Sequence, residues 1–221
     1  SKGFQNQNLL SSTVVQNKNL AAIEFLWNLI EKTFGDEILL EMIYEPCDTT
    51  YTFFHFAFWF STKEILEFLW QKMEKFDRKK LEEFLFSKND NLNALACAAA
   101  NKNDEKVFPW ALKLFQEIHK NKSSSFRDEF LLTAFSRGSP KNVQFIWNEI
   151  LAKKFDSIEK KKEFLQSKNF LYEFVYLNLY LDSIKFIWNL YEEVFVENCN
   201  EIVTKFIHEK NSFNNNLFHL K

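Results

Sequence analysis

An apolar–apolar–Trp triplet recurs four times along the chain, as Phe25-Leu26-Trp27, Phe68-Leu69-Trp70, Phe145-Ile146-Trp147 and Phe186-Ile187-Trp188. Each copy is preceded, two residues upstream, by an aliphatic side chain: Ile23, Leu66, Val143 or Ile184. Internal self-similarity constrains a fold more than any local propensity, because it implies one supersecondary unit used repeatedly. Nine residues before each Trp stands a turn position, at Lys18, Ser61, Gly138 and Leu179, and nine more reach the start of another short apolar stretch. Each unit therefore reads helix, turn, helix. A further unit lacks the triplet and reads Val107-Phe108-Pro109-Trp110. Pro109 fits the first turn of its second helix, where a missing N–H costs nothing.

The equivalent starts fall at Leu9, Thr52, Asn93, Glu129 and Phe170, with a partial sixth unit from Asn216, at spacings of 43, 41, 36, 41 and 46 residues. A period that varies around 41 implies two fixed helices and a connector of changing length. Three Gly and three Pro are too few for a sheet architecture with many tight turns, while Leu, Ile, Phe, Lys and Glu fill long stretches that accept helix. The expected class is all-α: an α-solenoid of stacked helical hairpins, one repeat domain over residues 1–221. Hydrophobic residues at 46% against 26% charged give it enough apolar surface to fold. No hairpin buries its apolar faces alone, so stability should come from the contacts between neighbours.

Thr52-Phe53-Phe54-His55 with Ala57, then Asn93-Ala94-Leu95-Ala96-Cys97-Ala98-Ala99, then Leu131, Ala134 and Gly138-Ser139 carry a family resemblance. The pattern resembles the ankyrin repeat, whose units open on a Thr-Pro-Leu-His-like tetrapeptide followed by small residues and a Gly-containing turn. Asn216-Leu217-Phe218-His219 looks like the opening of the sixth unit. The units are longer than the roughly 33 residues of an ankyrin repeat. The excess lies after the Trp, where Asp77 to Leu85 and Ser157 to Leu165 read as a third, short amphipathic helix. HEAT or armadillo repeats, at about 40 to 47 residues, are the alternative.

The resemblance implies a protein-binding module working through its concave face and connector tips. Variable first-helix positions face the groove in that family, and here they map to Phe56, Trp59, Phe60, Asn101, Ser136, Arg137, Phe174 and Asn178. Phe56, Trp59 and Phe60 share one helical face, which suits an aromatic hot spot; alternatively the third helix folds over and buries them. It also implies that His55 and His219 make structural hydrogen bonds.

A second functional reading is the targeting domain of a bacterial or symbiont effector or toxin, its enzymatic domain lying outside this sequence. The 27 Phe, with abundant Asn and Lys, match the drift of AT-rich genomes such as those of host-restricted bacteria. Leu9 to Lys18 lacks a polar cap, the final residues stop inside a helix opening, and the first residue is Ser. These features lead us to expect a piece of a longer protein, capable of self-association through uncapped ends.

Other chemistries find no support in the residues. His55, His119, His208 and His219 form no i, i+4 ligand pair, and Gly3, Gly35 and Gly138 lie too far apart for a phosphate loop. Cys47, Cys97 and Cys199 are odd in number and far apart, as expected of reduced thiols in a cytoplasm or, after secretion, a host cytosol. Glu82-Glu83, Glu192-Glu193 and Lys160-Lys161-Lys162 read as solvated helix faces. A net charge of -2 without a basic stripe argues against nucleic acid, and no apolar run is long enough to span a bilayer. No enzyme activity, metal or cofactor is expected.

Overall fold

The computed structural model describes residues 8–44, 51–76, 79, 82, 93–118, 124–166, 174, 177–178, 180–196, 201 and 204. Every regular element among them is helical, as the scarcity of Gly and Pro predicts. The chain divides into two compact units, Ser1–Ala134 and Phe135–Lys221, where sequence reading expected one repeat domain over 1–221.

Among the described residues the first unit contains three helical hairpins: α1 (Leu9–Gln16) with α2 (Leu20–Tyr44), α3 (Phe53–Phe60) with α4 (Lys63–Glu74), and α5 (Ala94–Ala100) with α6 (Val107–Ile118). Their starts match the sequence periods, since Leu9 opens α1 and Thr52 and Asn93 are the N-caps of α3 and α5. Pro109 sits in the first turn of α6. The first helices pack in series, α1 on α3 and α3 on α5, and so do the second helices, α2 on α4 and α4 on α6.

Composition explains the two roles. All seven residues of α5 are buried, and five of them are Ala, so backbones on either side approach closely. In α4 burial is one-sided, through Ile65, Leu66, Leu69, Trp70 and Met73, the i, i+4 stripe of an amphipathic helix. Trp27 of α2 is fully buried and meets Phe68 of α4 edge-to-face, ring centroids 6.0 Å apart.

Helix α2 is two segments joined at Gly35, whose φ of 81° and ψ of 176° only glycine adopts readily. Asp36 to Tyr44 beyond it form a short third segment that buries Leu39 and Ile43. Asn8 ties it to α1: its Oδ1 accepts from Ser11 N (2.9 Å) while its Nδ2 donates to Met42 O (2.5 Å). An extra helix after the Trp is thus present here, one unit earlier than the first of the two segments that suggested it.

Helix α7 (Ser124–Arg137) carries the chain into the second unit. It begins five residues before the start expected at Glu129; the starts expected at Phe170 and Asn216 lie outside the described residues. The second unit continues with α8 (Pro140–Phe145), a π-helical stretch (Ile146–Leu151), α9 (Ala152–Lys154), α10 (Ile158–Leu165) and α11 (Leu181–Val194). Pro140 opens α8 at the position where its missing N–H is harmless.

Helix α10 is the expected third helix, capped by Ser157 Oγ accepting from Lys160 N (3.2 Å). Its Phe164 and the preceding Phe155 pack on Trp147 at 6.3 and 6.1 Å. Tyr191 of α11, buried, donates its hydroxyl to Leu165 O. Asp77 to Leu85 falls mostly outside the described residues.

The four triplet tryptophans do not share one environment. Trp27, Trp70 and Trp147 are 0, 7 and 4% exposed, whereas Trp188 is 38% exposed and donates Nε1 to Glu192 Oε1 at 2.9 Å.

Candidate partner-binding surface

Helix α3 reads Phe-Phe-His-Phe-Ala-Phe-Trp-Phe and has no charged residue. Such a helix is stable only if nearly all of it is covered, and Phe53 through Phe58 are buried. Thr52 Oγ1 and His55 Nδ1 share a buried hydrogen bond of 2.7 Å, the structural role expected for His55. His119, His208 and His219 lie outside the described residues, as do Cys47 and Cys199; Cys97 is buried.

Trp59 and Phe60 end the helix half-buried, stacked at 5.3 Å, and Phe60 also stacks on the buried Phe56 at 6.3 Å. Tyr51, half-buried ahead of the helix, meets Phe56 at 5.8 Å and Trp59 at 6.2 Å. The result is a tray of three partly exposed aromatic rings on a buried fourth. Sequence reading found three of these residues and missed Tyr51, although its four-residue interval to His55 and eight to Trp59 was a usable signal.

The remaining candidates, Arg137 excepted, are turned inward. Phe56 and Phe174 are fully buried, the latter packed on Phe135 at 5.3 Å. Asn101, 1% exposed, donates Nδ2 to Phe58 O (3.0 Å) and Ser61 O (2.8 Å), while its Oδ1 accepts from Asn103 N (2.7 Å) and Asp104 N (3.2 Å). Asn178, 6% exposed, donates to Ser136 O and Gly138 O, both 3.1 Å away, and accepts from Tyr180 N at 2.9 Å.

Asn101, at the end of α5, and Asn178 thus each fasten the chain to a helical turn 40 to 43 residues earlier. Helical spacing identified the face they occupy, but a carboxamide that finds two buried carbonyls does better there than in water. These two are staples within the fold rather than groove residues. Ser136 is buried beside the same staple, and Arg137 ends α7 half-buried. Of the eight candidates, Trp59, Phe60 and Arg137 retain exposure.

A second surface feature was not anticipated. Helices α4 and α6 flank a cleft of about 660 Å³ lined by Lys63, Glu67, Trp110, Lys113 and Glu117 among others. Trp110 stacks on Phe58 at 6.0 Å, and Lys63 pairs with Glu67 at 2.8 Å, which raises the lysine pKa. The cleft lining mixes lysine and glutamate side chains. Among the described residues no three His, Cys, Asp or Glu are placed to hold a metal ion, and no described helix is long and apolar enough to cross a membrane.

Comparison of the chain with protein-family models, with curated proteins and with solved protein structures finds no match.

Proposed function

We propose that the chain is a non-catalytic, ankyrin-like α-solenoid module that binds a partner protein. The observation that carries this reading is the tray of Tyr51, Trp59 and Phe60. Large amphipathic rings held rigid by a buried ring beneath them lose little side-chain entropy on binding, and Trp and Tyr are the side chains that dominate interface energetics. The serial packing of helix on helix in the first unit supports the repeat reading, as does the Thr52–His55 hydrogen bond at the opening of a unit. In this reading the occupant is an apolar segment of another protein laid on the tray, and the staples at Asn101 and Asn178 hold the scaffold rather than the partner.

The test is capture of a partner from extracts of the source or host cell with the wild-type chain and with Trp59→Ala/Phe60→Ala. The partner should be lost in the double variant while the helical circular dichroism signal stays native. Undiminished capture by that variant excludes the tray as the binding surface.

A further inference from the structure

In the first unit α2 receives α4 through a compact set of side chains. Phe68 lies edge-on against Trp27, and Lys72 Nζ reaches Asn28 Oδ1 (3.3 Å) and Glu31 Oε2 (3.2 Å) while sitting 5.9 Å over the Phe68 ring. The receiving pattern is Trp27-Asn28-x-x-Glu31. It recurs in α11 as Trp188-Asn189-x-x-Glu192.

In α11 that receiving set is open: Trp188 is 38% exposed, and Asn189 and Glu192 are exposed. The inserting position is open too, at the other end of the sequence. Phe25 stands two residues before Trp27 as Phe68 stands before Trp70, and it is 69% exposed; Leu29, at the position of Lys72, is 47% exposed, with exposed Lys32 nearly one turn on. The chain therefore displays both halves of a contact that it makes internally between α2 and α4.

We propose that copies of this chain stack head to tail, with Phe25 of one copy set against Trp188 of the next and Lys32 beside Glu192. The occupant follows from continuity with the internal contact: the surface that α11 offers is the one on which α4 already rests in α2, and α2 offers the ring that α4 inserts. Such a contact is heterologous, so it propagates unless an end is capped. One helix-on-helix contact is small, which places the association at the weak end of protein interfaces. The proposal rests on the equivalence of the repeats and is separate from the partner-binding tray, whose residues its variants leave intact.

Sedimentation equilibrium on the full chain tests it. The weight-average mass of the wild type should climb with concentration beyond twice the 26.5 kDa monomer. Phe25→Glu and Trp188→Glu should each remain monomeric, yet an equimolar mixture should form dimers and stop there, because each variant keeps one sound surface. Lys32→Glu should weaken assembly and Lys32→Glu/Glu192→Lys should restore it. Circular dichroism separates loss of contact from loss of fold. A wild type that stays monomeric up to its solubility limit overturns the proposal and leaves these surfaces to a different chain. Undiminished association of either glutamate variant alone, or a mixture that stays monomeric, overturns it equally.

Discussion

In the first unit Asn101 reaches back to the carbonyls of Phe58 and Ser61; in the second Asn178 reaches back to those of Ser136 and Gly138. The staple is the same and its surroundings are not. Around Asn101 the turn is bolted by further polar groups: Asn103 Nδ2 donates to Phe60 O (2.9 Å), and Asp104 Oδ2 accepts from Lys63 N (2.8 Å). Around Asn178, among the described residues, support comes from a hydroxyl, Ser183 Oγ donating to Gly138 O at 3.1 Å. What the two regions share is a pair of donors aimed at backbone carbonyls of the preceding turn, and carbonyls are available from any residue. The supporting side chains are then free to differ.

The largest test of this comparison lies in the aromatic layer that the staples hold together. Trp147→Ala should cost about 3–5 kcal/mol by chemical denaturation, since it empties a buried site shared with Phe135, Phe155 and Phe164. A cost below about 1 kcal/mol would show that the second unit does not depend on that layer.

Asn101→Ala should cost about 2–4 kcal/mol and Asn178→Ala about 1–3, because each leaves two buried carbonyls without their donor and Asn101 also loses two accepted bonds against one. Hydrogen exchange should place the loosening around α3 and α5 in the first case and around Gly138 in the second. The reverse order of cost would break the account of their differing support.

The connectors differ as well. The first unit enters its third segment through Gly35, and the second through Phe155 in ordinary extended backbone with φ of -98°. Gly35→Ala should therefore cost about 1–2 kcal/mol from backbone strain alone, as a Cβ there would meet nothing within 4 Å. A neutral result, read from the shift in thermal midpoint, would mean that the kink relaxes.

Alkaline pH should act on the second unit. Burial raises the phenol pKa of Tyr191, and of Tyr180, above its ordinary value. A folded-state pKa above the unfolded one gives stability that is whole below about pH 10 and lost as pH rises toward the folded value, by up to about 1.4 kcal/mol per pH unit for the buried Tyr191. Stability measured against pH should bend downward there, and Tyr191→Phe should flatten part of the bend. The smallest effect belongs to Trp188→Ala, expected below about 1 kcal/mol in the same denaturation assay because its ring is already partly in water.

Much of the helical framework was legible in the residues. The Trp triplets marked the second helices, Thr52-x-x-His55 marked the opening of α3, and Pro109 fell where helix chemistry puts it. The staples were not legible, because a carboxamide's partners here are backbone carbonyls that carry no side-chain signature, 40 or more residues distant. The groove assignment failed for Phe56, Asn101, Ser136, Phe174 and Asn178 for a related reason: helical spacing says which residues share a face, but not whether a neighbour covers it. Trp188 departs from its three counterparts on the same ground, since exposure is a property of what lies alongside.

Each staple also closes the intervening chain into a loop whose ends are pinned. The entropy of closing such a loop grows only with the logarithm of its length, so stretching it from 36 to 46 residues, the range of spacings expected from the sequence, costs about 0.2 kcal/mol. Insertions and deletions in the connectors between the packed helices are therefore nearly silent in closure entropy, and lineages of this chain should diverge in connector length long before they diverge in the asparagines that anchor it.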